Sequence, residues 1–175
     1  KGANKPDKRK GYTLYEAFVD SNAALTKYSG TKQQNKFNYS SSSSNGKELV
    51  YSKNRFYKCA HKALKDSAFN QLYTTNLQDG VTSKLSFQAD GASYATPTLS
   101  PDGKTLYFSS NMAGGNGGWD IYVSKKDASG NWSKPENAGS YINSAYNETN
   151  PFLATDGTLY FSSDAPVGLG GLDVY

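Results

Sequence analysis

The sequence predicts an all-β chain of repeated four-stranded antiparallel sheets, the blades of a β-propeller, and three observations carry that expectation. An aliphatic–tyrosine pair recurs at Leu14-Tyr15, Leu72-Tyr73, Ile121-Tyr122 and Val174-Tyr175, with tyrosine spacings of 58, 49 and 53 residues. Self-similarity at roughly 50 residues marks a repeat architecture. The string Thr-Leu-Tyr-Phe-Ser-Ser at Thr105–Ser110 returns at Thr158–Ser163, each time behind an Asp-Gly turn. Finally, 14 Tyr, 8 Phe and 17 Gly stand against one Met and two Trp in 175 residues. Aromatic residues pack well on a pleated surface, and glycines serve tight turns.

The unit 89–141 shows the pattern best. A strand through Thr96-Pro97-Thr98-Leu99-Ser100 meets the turn Pro101-Asp102-Gly103-Lys104, then Thr105–Ser110 returns. Pro presets φ, Asp bonds its local backbone and Gly takes positive φ, so a hairpin forms. The glycine-rich loop Asn111–Gly118 leads to a third strand, Trp119–Ser124, and a turn at Asp127–Gly130 leads to a short outer strand around Trp132. Four antiparallel strands in such a length describe one propeller blade.

The next unit, 142–175, repeats this through Asn150-Pro151, the turn Asp156-Gly157, the loop with Gly168, Gly170 and Gly171, and Asp173-Val174-Tyr175. Unit 36–88 is more divergent. Asn45-Gly46 replaces Asp102-Gly103, and a basic insertion from Lys53 to about Asp66 replaces the glycine loop. Residues 11–35 read as the last two strands of a preceding blade, since Gly11–Lys27 aligns without a gap on Gly118–Lys134. Residues 1–10 form a basic tail or linker. About three and a third repeats are fewer than the four to eight blades of a closed ring, so a piece of a larger propeller is expected.

Charge is unevenly spread. Residues 1–65 carry 14 basic and 4 acidic side chains; residues 66–175 carry 5 and 11. A lysine-rich tail of this kind is ordinarily a solvated segment; a peptidoglycan or anionic-lipid surface is as cheap a partner for it as nucleic acid, and a nucleic-acid partner is not expected. One cysteine, Cys59, excludes an internal disulfide framework. No apolar run nears the roughly 18 residues of a membrane span.

Ser100-Pro101-Asp102-Gly103-Lys104-Thr105-Leu106-Tyr107-Phe108-Ser109-Ser110, followed by Gly117-Gly118-Trp119-Asp120-Ile121-Tyr122, resembles the WD40-like propeller repeat of bacterial TolB-type periplasmic proteins. The joining string Asn131-Trp132-Ser133-Lys134-Pro135-Glu136-Asn137, with Ile142-Asn143-Ser144 and Tyr146-Asn147-Glu148, is similar to the propeller of Bacteroidetes OmpA-family outer-membrane proteins. One member of that family, the PorE-like subunit, belongs to the type IX secretion machinery. The resemblance covers Phe87–Tyr175 most fully and extends over Phe37–Thr82. It implies an exported chain, in the periplasm or associated with the outer membrane, with other cell-envelope proteins as partners.

Candidate catalytic chemistry is sparse. His61 stands two residues after Cys59 and could form a nucleophile pair with it, but that needs an orienting third group, and a zinc site needs further Cys or His ligands. An incidental surface pair is the plainer reading. Asp120 and Asp173 occupy one repeat position and could bind a metal or act as an acid/base pair; as repeat residues they are expected instead to cap N–H groups of the glycine loop. Asp102, Gly103, Asp156 and Gly157 are turn residues by the same logic. With only Arg9 and Arg55, there is no arginine cluster to hold an acidic sugar, and no P-loop or EF-hand pattern appears. The expectation is therefore no enzyme, no metal and no cofactor.

What remains is a displayed face. In a propeller blade the loop between strands two and three shares an end with the connection between blades. Asn111, Gly114, Asn116, Gly117 and Trp119, together with Gly168 and Gly170, are thereby brought towards Tyr141, Tyr146, Asn147 and Glu148. Glycines allow close backbone approach, and Tyr/Asn-rich loops suit protein or glycan contact. The functional expectation is a non-catalytic protein-interaction scaffold of the envelope. Alternatives are a carbohydrate- or peptidoglycan-binding propeller, or the propeller domain of a peptidase or glycosidase.

Overall fold

The computed structural model describes residues 15–19, 25–30, 37–55 and 69–175 of the chain, with side chains for 41–54 and 69–175. Cys59, His61, the basic tail 1–10 and the basic insertion beyond Arg55 lie outside the described residues.

Thirteen strands in the described residues form four antiparallel sheets. β1 (Tyr15–Val19) pairs with β2 (Leu25–Gly30). The first full blade holds β3 (Phe37–Ser44), β4 (Glu48–Arg55), β5 (Gln71–Asn76) and β6 (Thr82–Lys84), paired in chain order. The second holds β7 (Tyr94–Leu99), β8 (Thr105–Ser110), β9 (Asp120–Lys125) and β10 (Glu136–Asn137). The third sheet contains β11 (Glu148–Leu153), β12 (Leu159–Ser163) and β13 (Asp173–Val174). The all-β class and the four-stranded blade are thus borne out.

The turn chemistry acts as its residues dictate. In the β7–β8 hairpin, Gly103 takes φ 73° and its N–H donates to Ser100 O at 2.8 Å. Asp102 Oδ1 accepts from Ser100 Oγ at 2.6 Å and from the Lys104 N–H at 3.0 Å. In the following blade, Asp156 Oδ1 accepts from Thr158 N–H at 2.9 Å.

One expectation is corrected. The outer strand of the second blade is not centred on Trp132, which makes only an isolated bridge to Lys126. The ladder resumes at β10, with Glu136 opposite Val123 and Asn137 opposite Tyr122. Pro135 between them has no N–H to give to the ladder, so the strand is split there.

Side-chain alternation decides the stacking. Val50 on β4 and Leu72 on β5 share one face of the first blade and meet Leu106, Phe108 and Tyr122 on the facing side of the second. Leu85, Ala92, Tyr94 and Leu99 complete this buried cluster. Phe108 stacks on Phe87 with centroids 5.4 Å apart. Burial of each large apolar side chain contributes about 1.5–3 kcal/mol, so the core lies between blades rather than within one. The third sheet leaves Phe152, Tyr160 and Val174 exposed (60, 45 and 75 %) on the face that each preceding blade covers with its successor. That suits a part of a larger propeller.

The first strands, β3, β7 and β11, lie side by side about the axis, and each carries a bulge. In the last two the bulge holds a non-glycine residue at positive φ, Thr96 (46°) and Asn150 (52°), each followed by proline. N–H groups of one inner strand are taken by hydroxyls of the neighbouring blade. Thr96 N–H donates to Ser41 Oγ (3.0 Å), Leu99 N–H to Ser43 Oγ (2.9 Å) and Leu153 N–H to Thr98 Oγ1 (3.2 Å). Bulges, proline and capped donors are the means by which proteins protect a strand edge from further pairing.

Candidate functional site

The glycine loop is closed by the aspartate that begins the third strand. Asp120, itself buried, accepts from Asn116 N–H (Oδ1, 3.0 Å) and Gly117 N–H (Oδ2, 3.2 Å). One blade on, Asp173 Oδ2 accepts from Gly170 N–H at 3.3 Å. A Cβ on Gly168 would lie 1.8 Å from that same oxygen, so the glycine lets the carboxylate fold back.

The closed loop then locks against the segment joining blades. Gly118 N–H donates to Tyr146 O at 3.2 Å, Glu148 N–H to Trp119 O at 2.7 Å, and Trp119 bridges Asn147 in parallel. At Gly117 a Cβ would stand 1.7 Å from the Tyr146 carbonyl oxygen. Only glycine admits this approach. Asn143, buried, clamps the strand edge. Its Oδ1 accepts from Ile121 N–H and its Nδ2 donates to Ile121 O, both at 2.8 Å. In the first blade Gln88 does the same to Leu72, at 2.6 and 2.8 Å.

Glu148 is fully buried. Its Oε2 accepts from Ser144 N–H (2.9 Å), and its Oε1 from Ser144 Oγ (2.6 Å) and Ser163 Oγ (2.8 Å). The side chain ties the connecting segment to β12 and is not part of the exposed face. Asn147 is likewise committed, its N–H and Nδ2 donating to Asp164 at 2.7 and 2.8 Å.

These bonds hold the Asp164 carboxyl below its usual pKa, the Asn147 side-chain bond first and its backbone bond second. A depressed carboxyl stabilises the fold above its unfolded pKa, and that contribution is lost as pH falls through the folded value. Asp102, Asp127 and Asp156 are depressed by comparable local bonds. Melting temperature is therefore expected to fall as pH drops below about 4. In Asp164→Asn, a thermal melt series should show a shallower acid limb.

What reaches solvent on this face is set by the locked backbone. A turn in which Asn143 N–H donates to Gly139 O at 2.8 Å throws Tyr141 fully outward, and Tyr146 is 45 % exposed. Asn116 is exposed beside them, its Nδ2 donating to Asn143 O at 3.4 Å. The structure thus brings Asn116, Gly117 and Trp119 together with Tyr146, Asn147 and Glu148. Gly114 sits open in the loop at φ 93°. Asn111 is turned to its own blade, with Oδ1 accepting from Ser93 N–H at 2.8 Å. The loop of Gly168 and Gly170 keeps its hydrogen bonds within the third sheet and exposes Val167 and Leu169.

Sequence reasoning passed over a second concavity, an axial groove of about 530 Å³ lined by Ser41–Asn45, Thr96–Leu99, Pro101, Asn150–Leu153 and Thr155. The signal available was Thr96-Pro97 and Asn150-Pro151, at one repeat position. Among the described residues no three His, Cys, Asp or Glu side chains gather as metal ligands, and no helix is long and apolar enough to cross a membrane.

No protein-family model and no curated protein matches the chain. Solved structures do. TolB from Acinetobacter baumannii is similar at 18 % identity and TM-score 0.61, over 97 % of this chain and 36 % of that one. A putative TolB from Agrobacterium tumefaciens is similar at 18 % identity and TM-score 0.50, over 79 % and 48 %. The chain thus spans between about a third and a half of their lengths. The tricorn protease matches at 16 % identity and TM-score 0.47, over 94 % of this chain and 15 % of that one. The expectation that the protein is not an enzyme is contradicted by the protease among these matches. At these identities the likeness is one of fold: the chain has the β-propeller fold of the TolB structures.

Proposed function

We propose that the chain is a protein-interaction module of the bacterial cell envelope, docking its partner on the face of Tyr141, Tyr146 and Asn116. The observation that carries this reading is the exposure of two tyrosines on a backbone fixed by the Gly118–Tyr146, Trp119–Glu148 and Ile121–Asn143 contacts. Rigid aromatic side chains give large contact area at little entropic cost, and such anchors carry most of the energy of an interface. The repeat strings support a finer reading. The chain belongs to an exported, periplasmic or outer-membrane-associated OmpA-family protein of a Bacteroidetes bacterium, in a type IX secretion assembly. Its blades divide at 36–88 and 89–141, with 11–35 and 142–175 as parts of two others.

A photo-crosslinking residue at position 141 tests this. It should yield one discrete adduct in an envelope fraction, and Tyr146→Ala should reduce that adduct at least tenfold while leaving the melting temperature within about 1 °C. The same probe at exposed Ser129, in the outer turn, should yield none. Equal labelling from both positions would overturn the assignment.

A further inference from the structure

We propose that the axial groove between β3, β7 and β11 is a second binding site, and that its ligand is a neutral oligosaccharide. Of the described residues that line the groove, none carries a charge, although the chain holds 19 Lys and Arg and 15 Asp and Glu. An anionic or cationic ligand would be desolvated there with nothing to pair it. At about 530 Å³ the space lies within the range of small-molecule sites.

The wall combines two surfaces that a sugar needs. Pro97, Pro101 and Pro151 offer apolar ring faces to sugar C–H groups. Between them stand hydroxyls and amides. Ser43 Oγ and Thr98 Oγ1 accept backbone N–H bonds across the blades and retain their own hydrogens to donate. Ser42 and Asn150 are exposed in the same wall.

A peptide would use the groove differently, by adding a strand to an inner edge, and that route is closed. Strand addition needs alternating N–H and C=O groups. Here the N–H groups of Thr96, Leu99 and Leu153 are already taken by Ser41, Ser43 and Thr98, and Pro97 and Pro151 have none. A sugar, whose hydroxyls both donate and accept, needs no such alternation.

Calorimetric titration of the 175-residue chain with maltotetraose, cellotetraose and tetra-N-acetylchitotetraose tests the proposal, beside tetragalacturonate and a neutral Gly-Ser hexapeptide. At least one neutral tetrasaccharide should bind with Kd of about 1 mM or tighter. The uronate and the peptide should bind at least tenfold more weakly. Ser42→Ala, which removes an exposed hydroxyl of the wall, should weaken the sugar at least threefold with circular dichroism unchanged. Ser42→Tyr, which fills the groove, should abolish binding. Absence of binding by all three neutral sugars at 10-fold that concentration, equal binding of the uronate or peptide, or unchanged affinity in both variants would overturn it. The Tyr141 crosslink is read separately, so either site can fail without the other.

Discussion

Gly117→Ala is expected to destabilise the fold by about 3 kcal/mol, lowering the melting temperature by roughly 6–12 °C for a chain of this size. The added Cβ would stand 1.7 Å from Tyr146 O and 3.0 Å from Ser144 O, both backbone atoms. Rotating a side chain relieves neither contact, so the connecting segment itself must withdraw. Withdrawal breaks the Gly118–Tyr146 bond and strains the Glu148–Trp119 bond next to it. Gly130→Ala is the matched comparison. Gly130 takes φ 83° in the outer turn with nothing within 4 Å of the added atom, so only the left-handed backbone is penalised. That costs about 1–2 kcal/mol. Equal melting temperatures for the two variants would mean that the blade junction yields freely.

Glu148→Ala should cost about 3–5 kcal/mol, since each buried donor left without its acceptor costs about 1–3 kcal/mol. The change strands three donors, the N–H and Oγ–H of half-buried Ser144 and the Oγ–H of buried Ser163. Glu148→Gln keeps the shape and one acceptor oxygen but sets an NH₂ against donors, so it should fall between wild type and alanine. Denaturant unfolding of the three proteins gives the ranking. A Glu148→Ala variant within 1 kcal/mol of wild type would show that the serines find other partners and that the connecting segment is not tied to β12 through this side chain.

Much of the architecture was legible because short-range chemistry writes it. Asp102-Gly103 and Asp156-Gly157 make turns through bonds spanning two or three residues, and the strand alternation of Thr105–Ser110 survives into burial of Leu106 and Phe108. The proximity of the glycine loop to the Tyr141–Glu148 segment followed from blade topology. Roles within that face did not. Glu148 reads as a charged residue in a polar loop; its burial depends on Ser163, which β12 brings back from 15 positions away. Asn143 and Gln88 make the same clamp from residues of different type and repeat position, so periodicity could not align them. The outer strand was misplaced because Trp132 looked like a strand residue, whereas Pro135 divides the pairing. The groove was invisible for a further reason. Its character comes from an uncharged lining that three distant strands assemble, and from donors capped across blades.

The central claim is that the blade junction is a rigid platform for an exposed tyrosine face. Residue-resolved hydrogen exchange measures it most directly. The amides of Gly118, Ile121 and Glu148, bonded to Tyr146 O, Asn143 Oδ1 and Trp119 O, should exchange as slowly as the Phe108 amide in the buried strand β8, while Gly114 in the open loop exchanges within the dead time. Exchange of the three junction amides at the rate of Gly114 would contradict it.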